Sequence, residues 1–183
     1  MRRTFNRHAP DGLAAGRGLY ARKGQSLLET VLLLPFLLLF LVGTIELGKI
    51  VYTYFALQKA LYEIARLAGT QQGINLCDSN DPLLTSAINT VLTGTSAGTG
   101  TPIIQGLAAT DIQVQVERYD PVANALGPCA CSILGCDTSA GGAPPDFLVV
   151  SLTNGYTVSP VFPLFKVDPF PLRPQIRIPY GGT

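Results

Sequence analysis

The sequence predicts an α+β protein, with a long N-terminal helix followed by a small domain built on an antiparallel sheet. Three observations lead to this prediction. Residues 30–45 contain no charged side chain and are mostly apolar. Apolar side chains then recur at helical spacing as far as residue 68. Residues 112–119 alternate between apolar and polar side chains, which is typical of a strand with one face in water.

The basic segment at residues 1–24 is predicted to be a disordered leader. It holds six of the thirteen Lys and Arg residues but one of the twelve acidic residues, so the rest of the chain carries a formal net charge of −4. A basic segment directly ahead of a bilayer-length apolar run indicates a cytoplasmic flank. We therefore expect the leader in the cytoplasm, the remainder exported, and no nucleic acid as a partner.

The apolar run predicts a transmembrane span at about residues 27–47. About twenty helical residues, each rising about 1.5 Å, cross a hydrocarbon core about 30 Å thick. A cleaved secretory signal is the rival interpretation, but it requires a shorter apolar core and a small-residue cleavage site, which are missing here. Apolar residues at helical spacing instead extend the helix to about residue 69, with Gly69 as its C-cap and one face available for a core. That face consists of Ile50, Tyr54, Leu57, Leu61, Ile64 and Ala68.

Residues 70–183 are predicted to form the exported α+β domain, which includes a Cys-rich loop. We expect Asp81 to cap a helix that runs from Pro82 to Leu92, followed by a flexible loop at 93–101. Strands are expected at 112–119 and 147–153. The proline-rich tail is predicted to be an apolar loop with an edge strand at 175–178.

The cysteines are predicted to form disulfides. All four follow the apolar run, on the exported and oxidising side: Cys77, Cys129, Cys131 and Cys136. Four cysteines allow three pairings, and we favour Cys77 with one member of the later cluster and the remaining two with each other. The C-x-C-x4-C cluster also resembles a set of metal ligands. A closed zinc site needs four ligands, however, and the one histidine, His8, lies in the leader.

Enzymatic chemistry is not expected. Since His8 lies across the membrane from the domain, no Ser-His-Asp or Cys-His arrangement can form there. No phosphate-binding glycine loop is present. Asp111, Glu117, Asp120 and Asp146 are scattered along the chain, and we interpret them as a solvated surface. No catalytic residue, cofactor, metal or small-molecule substrate is therefore expected.

Glu29, at the start of the apolar run, has two interpretations. A carboxylate in a membrane helix costs a few kcal/mol and is therefore a functional candidate. It also lies near the headgroup level, where it can reach water at little cost. Its context favours a function, because the run K-G-Q-S-L-L-E at residues 23–29 resembles the cleavage site of type IV prepilins. The resemblance implies cleavage by a membrane-embedded prepilin peptidase between Gly24 and Gln25.

A more specific resemblance extends over about residues 22–70. ETVLLLP at 29–35, G-x-x-E-x-G-K at 43–49 and A-R-x-A at 65–68 are similar to the N-terminal region of TadE-like proteins, the minor pilin-like components of tight-adherence (Flp) pilus systems. The chain departs from that pattern at Thr30, where the family favours an aromatic residue, and at Lys49, where it usually has arginine. The second change keeps the charge.

The resemblance implies a structural pseudopilin in the bacterial inner membrane, with the prepilin peptidase, other pilin subunits, the pilus assembly machinery and lipid as partners. Glu29 would neutralise the new amino group of Gln25 on an adjacent subunit. Pro35 would either kink the helix or simply be tolerated in it. The residues of the span that we expect to contact another helix are Gly43, Glu46 and Gly48, with Lys49, three residues later, as the alternative partner of Glu46. The alternative is an uncleaved bitopic protein whose exported domain is a binding or adhesion module.

Overall fold

The computed structural model describes residues 18–160 and 171–181, with side chains from Gln25 onward. It divides into two compact units, Met1–Ile45 and Glu46–Thr183. Two predictions lie at least partly outside the described residues: disorder of the leader over residues 1–17, and the apolar loop at 161–170. The described part is α+β, with one long helix followed by a small antiparallel sheet, as the sequence predicts.

The first helix, α1, runs over Gly18–Thr70. It therefore begins seven residues before Gln25, within the segment interpreted as leader. The prediction that Gly69 ends the helix is wrong, because Gly69 is itself helical. The N–H of Gln71 still bonds to the carbonyl of Leu67 at 3.1 Å, and the chain turns at Gly73, whose φ is +80°. Glycine adopts that left-handed conformation at little steric cost.

The second half of α1 supplies one side of the core. Leu57, Leu61, Ile64 and Ala68, which the helical spacing places on the buried face, are fully buried. Ile50 and Tyr54 were expected there too, but each remains 37% exposed. The core contacts of α1 therefore begin near Leu57 rather than near the predicted end of the membrane span.

Helix α2 (Pro82–Thr93) begins as predicted. The Asp81 carboxylate accepts hydrogen bonds from the N–H groups of Leu83 and Leu84 at 2.8 and 3.0 Å, and Pro82 occupies the first turn, where no N–H is needed. Gly94 closes the helix in the left-handed conformation with φ +74°. Its buried side chains are Leu84, Ala87, Ile88 and Leu92.

In chain order the described strands are β1 (Ile112–Asp120), β2 (Ala125–Pro128), β3 (Phe147–Leu152), β4 (Tyr156–Thr157), β5 (Pro171–Leu172) and β6 (Gln175–Pro179). The main sheet has four antiparallel strands in the order β2-β1-β3-β6, and β4 and β5 form a separate two-stranded sheet. The strands predicted at 112–119 and 147–153, and the edge strand at 175–178, are confirmed as β1, β3 and β6. The short strands β2, β4 and β5 were not predicted.

One face of the main sheet packs into the core, and both of its edges carry proline. Ile112 and Val116 of β1 and Leu148 and Val150 of β3 share a hydrophobic cluster with the buried residues of α1 and α2. The edge strands β2 and β6 end at Pro128 and Pro179. Proline cannot donate a ladder hydrogen bond, so it limits the addition of a further strand.

Candidate functional site

The first half of α1 exposes a continuous apolar surface. The twelve Leu, Val and Phe side chains between Leu27 and Leu41 are each 51–74% exposed. Soluble proteins rarely expose so large an apolar patch, and such a patch marks a contact with a membrane or another protein. The surface is therefore the first candidate functional feature of the chain.

This helix has the length and composition of a membrane span. Within the described residues, Gln25–Thr70 is the one helix that is long and apolar enough to cross a bilayer, with a mean hydropathy of 2.3 in its best 18-residue window and none of that window buried. A buried core helix would have the same composition but covered side chains. The described part of the chain therefore has one candidate membrane helix, near its N-terminus.

Glu29 and Gln25 lie one helical turn apart on this surface. Both side chains are exposed, and residues at positions i and i+4 of a helix are neighbours. Thr30 is accommodated in the apolar helix because its hydroxyl donates to the carbonyl of Ser26 at 2.9 Å. Gly24 is helical in the uncleaved chain. Any peptidase that needs an extended backbone must therefore first unwind α1 around Gly24.

The remaining helix positions singled out in the sequence are spread along α1. The helix continues without a break through Pro35. A Cβ atom built on Gly43 or Gly48 meets no atom within 4 Å, so both glycines leave an open surface. Glu46 is half-buried and belongs to the second unit. The structure thus leaves room for a neighbouring helix at the glycines but does not bring these residues together into one site.

Lys49 links α1 to a distant loop, a contact that the sequence did not predict. Its Nζ donates to the backbone carbonyl of Ser159 at 2.6 Å, across 110 positions of sequence. A backbone acceptor leaves no signal in the spacing of side chains, so this contact could not be read from the sequence. The same loop region is held a second time, since the Tyr156 hydroxyl donates to the Gln105 carbonyl at 2.7 Å.

Two disulfides join the loops of the domain, in the favoured pairing. Cys77, between α1 and α2, bonds to Cys131, and Cys129 bonds to Cys136. The first bridge ties the α1–α2 connection to the loop between β2 and β3, and the second closes that loop on itself. Within the described residues every cysteine is in a disulfide.

The Cys-rich loop is further ordered by Asp137. Its carboxylate accepts from the Ser139 hydroxyl at 2.6 Å and from the N–H groups of Ser139 and Ala140 at 3.0 and 3.1 Å. The Ser139 hydroxyl is the main reason that the pKa of Asp137 lies below its usual value; partial desolvation opposes the shift, and the two N–H groups add to it. Asp137 therefore stays ionised as a loop cap.

The scattered acids have structural partners, which corrects their interpretation as merely solvated. The Asp111 carboxylate accepts from the Ala108 N–H at 2.9 Å. Asp120 accepts from the N–H of Val122 at 2.8 Å, within the β1–β2 turn. Asp146 accepts from the Tyr119 N–H at 2.7 Å. These carboxylates therefore fix loops and strand ends.

Glu117 was expected to face water, but it forms an ion pair across β3. Its side chain is 13% exposed, and its Oε2 lies 2.8 Å from Nε of Arg177 in β6. Nη2 of Arg177 donates to Oε1 at 3.0 Å, whereas Oε2 accepts no hydrogen bond of good geometry and depends on the ionic contact. Val149, between these strands on the same face, is 1% exposed. The ion pair therefore helps to cover the outer face of the sheet.

Among the described residues, no group of three or more His, Cys, Asp or Glu side chains could hold a metal ion.

Comparison with known proteins gives a family match within α1. No curated protein and no solved structure matches the chain. Residues 24–66 match the model of the family described as TadE-like protein, so the resemblance of this range to that family is confirmed.

Proposed function

We propose that this protein is a structural minor pilin, or pseudopilin, that assembles into a tight-adherence pilus or its base complex. The observation that carries the proposal is the uncovered apolar half of α1, which lies within the TadE-like range. Such a surface suits two successive environments. It contacts lipid while the subunit waits in the membrane, and it contacts the helices of other subunits after assembly.

The proposed topology follows from the charge distribution. The basic leader remains in the cytoplasm, α1 crosses the inner membrane once, and the domain lies outside it. The two disulfides support the exported location, since such bonds persist in an oxidising compartment. Prepilin peptidase would then cut between Gly24 and Gln25 on the cytoplasmic side and release the subunit for assembly.

Glu29 is the proposed assembly residue. Cleavage creates a cationic amino group at Gln25, near the membrane surface, and a carboxylate on an adjacent subunit can neutralise it. The pairing is favourable because opposite charges attract more strongly at low dielectric than in water. The exposed position of Glu29 on α1 leaves its carboxylate accessible to such a neighbour.

Cleavage is tested by the intact mass and N-terminal sequence of the protein from membranes that contain an active prepilin peptidase. We expect a chain that begins at Gln25, and little cleavage of Gly24→Ala. Gly43→Ala is the matched control, because a Cβ at Gly43 meets no atom within 4 Å. A wild-type chain that keeps residues 1–24 in such membranes would contradict the proposal.

The charge pairing is tested separately with Glu29→Gln, which keeps the size of the side chain but removes its charge. We expect normal cleavage and a large drop in the amount of protein recovered with sheared pili or the base complex. Glu63→Gln is the control, because Glu63 is a carboxylate of the same helix that makes only a long, 3.9 Å contact with Arg66 in the next turn. Normal incorporation of Glu29→Gln would refute the pairing.

One observation favours the alternative, an uncleaved bitopic protein with an exported binding or adhesion domain. Helix α1 begins at Gly18 and passes through Gly24, so the proposed cleavage site is helical rather than extended. For this alternative, the mass of the mature protein would include the leader, and Gly24→Ala would leave both mass and function unchanged.

A further inference from the structure

Strand β1 has an uncovered edge along its first half. In the described part of the chain, only its last four residues pair with β2. One more bond extends this ladder, from the N–H of Cys129 to the carbonyl of Val116 at 2.9 Å. The chain then turns back on itself at Ala130, whose carbonyl accepts from the N–H of Cys136. Residues 112–115 are therefore left without a strand on the β2 side.

The hydrogen bonds of β1 show which backbone groups this edge exposes. The Asp111 carbonyl accepts from the N–H of Thr153 on the β3 side, whereas the Val116 carbonyl points to β2. Alternate residues of a strand direct their N–H and C=O groups to opposite sides. Val114 therefore presents its N–H and its C=O at the uncovered edge. Ile112 adds its C=O, because its N–H is used in the preceding turn. Among the described residues, no hydrogen bond reaches these three groups.

The exposed backbone groups lie along a groove of about 530 Å³. Its opposite wall is formed by the α1–α2 connection and the first half of α2, which contribute the apolar side chains of Leu76, Leu84 and Ile88. The disulfide between Cys77 and Cys131 holds this wall on the β2 side of the sheet, because Cys131 follows β2 closely. All the residues that line the groove are uncharged.

We propose that this groove binds an extended peptide segment of another protein, which adds to the main sheet as a strand beside the first half of β1. In strand addition, main-chain hydrogen bonds provide the affinity, and pockets for alternate side chains provide the specificity. The segment is uncharged and apolar at every second position. This binding site belongs to the domain and does not depend on the membrane span or on cleavage of the leader.

The geometry of the edge requires an extended occupant. A residue opposite Val114 can donate to its C=O and accept from its N–H, and the residue two positions farther along can donate to the C=O of Ile112. The side chain opposite Val114 then lies on the core face, toward Leu84 and Ile88 of the groove wall. A helix cannot make these bonds, because its own N–H and C=O groups bond to each other.

Charge and strand pairing narrow the partner further. A charged side chain that entered the groove would lose water and meet no opposite charge among the lining residues, so an uncharged segment is favoured. A second copy of the chain offers no unpaired strand among its described residues, since all six strands are paired within their own sheets. The partner is therefore a different protein.

The test follows the amide hydrogen exchange of Val114 by NMR, on the isotope-labelled full chain in detergent micelles. The probe is a short acetylated and amidated peptide of alternating valine and threonine, which is uncharged and favours the extended conformation. In the free chain we expect Val114 to exchange much faster than Gln113 and Gln115, whose N–H groups point toward β3. The peptide should slow exchange at Val114 several-fold and leave Gln113 and Gln115 unchanged.

The control peptide is N-methylated at each valine. It keeps the side chains but lacks the N–H groups that would face β1, and it should give no protection. Equal protection of Val114 by both peptides would overturn the proposal, because contact without main-chain bonding would then be enough. Absence of protection by the unmethylated peptide would overturn it as well.

A pair of variants tests whether the peptide occupies the groove. Thr85→Lys places a long, charged side chain in the groove from the α2 side, and we expect it to weaken peptide binding several-fold. Thr90→Lys is the matched control, because Thr90 is exposed on the same helix and does not line the groove. Equal weakening by the two variants would overturn the proposal, since general charge rather than the groove would be the cause.

Two outcomes in the free chain would also overturn it. If Val114 already exchanges as slowly as Gln113 in the monomeric chain, a segment of the same chain covers the edge. If its protection instead rises with protein concentration, a second copy covers it. Both results concern the domain alone, whereas the mass of the mature chain and the Glu29→Gln variant decide the proposed function.

Discussion

The two halves of α1 have the same secondary structure but different surroundings. From Leu27 to Leu41 the large apolar side chains are at least half exposed, whereas Leu57, Leu61 and Ile64 are fully buried. Composition alone does not separate them, because leucine is frequent in both. The two halves differ in how their apolar residues are distributed. The first half has apolar side chains on every side of the helix, whereas the second has them on one face and polar side chains on the other.

The comparison shows that one continuous helix can be stabilised by two different means. The second half is held by tertiary packing against α2 and the sheet. The first half lacks such packing, and a bilayer would stabilise it instead by removing the water that competes for backbone hydrogen bonds. Substitutions in the two halves should therefore affect different properties, namely domain stability and membrane insertion.

Removing the long-range disulfide should have the largest effect, and it should affect the domain alone. The double variant Cys77→Ala/Cys131→Ala opens a loop with a sequence separation of 54, against 7 for Cys129→Ala/Cys136→Ala. Loop-closure entropy gives losses of about 4 and about 2 kcal/mol in the free energy of unfolding. Chemical denaturation in detergent, followed by circular dichroism, measures both. Equal losses would show that loop length does not control the effect.

The variants Leu61→Ala and Leu37→Ala test whether the two halves of α1 are stabilised by different surroundings, since the two changes are chemically identical. Leu61 is fully buried and Leu37 is 58% exposed. We expect Leu61→Ala to lower the free energy of unfolding by about 3 kcal/mol, because it leaves a cavity, and Leu37→Ala to leave it unchanged. The same denaturation measurement applies. A similar loss for Leu37→Ala would mean that the first half of α1 is also packed against protein.

Arg177→Gln should have a smaller effect, confined to the outer face of the sheet. It leaves the carboxylate of Glu117, which is 13% exposed, without its cation. Because Arg177 itself is 46% exposed, water can partly replace it, and we expect a loss of about 1 kcal/mol in the free energy of unfolding. Arg173→Gln is the control. The double variant Glu117→Gln/Arg177→Gln should recover part of the loss, and no recovery would contradict a specific pairing.

Much of this fold follows from local patterns in the sequence. Asp81-Pro82 gives the start of α2 because the cap requires only neighbouring residues, and the alternation from Ile112 to Val116 gives a strand together with its buried face. Spacing also excludes a bridge between Cys129 and Cys131, which are too close to bond comfortably, but it leaves open which member of the cluster bonds to Cys77. In each case the physical cause lies within a few residues of the pattern.

What the sequence could not predict depends on contacts between distant segments. Strand β2 forms only because β1 pairs with it, and its own residues, Ala-Leu-Gly-Pro, have low strand propensity. The alternation in β1 places Glu117 on the face away from the core, but it does not show that the strand order brings Arg177 beside it. Gly24, Glu29 and the apolar run after them could be singled out from the sequence because they lie within one helix, and their role in cleavage and assembly stays a prediction.

The contact between Lys49 and Ser159 offers the last and smallest test, at the point where the two halves of α1 meet. Lys49→Met keeps an apolar stem of similar length but removes the ammonium group that donates to the Ser159 carbonyl at 2.6 Å. A single exposed hydrogen bond contributes about 1 kcal/mol, so we expect faster amide hydrogen exchange in residues 156–160 and little change in global unfolding. Lys59→Met is the matched control, because Lys59 lies on the same helix, ten residues beyond the lysine that bonds to this loop. If exchange quickened equally in both variants, general charge loss would be the cause. If only Lys49→Met quickened it, the bond from Lys49 to the Ser159 carbonyl would be what protects residues 156–160 from exchange.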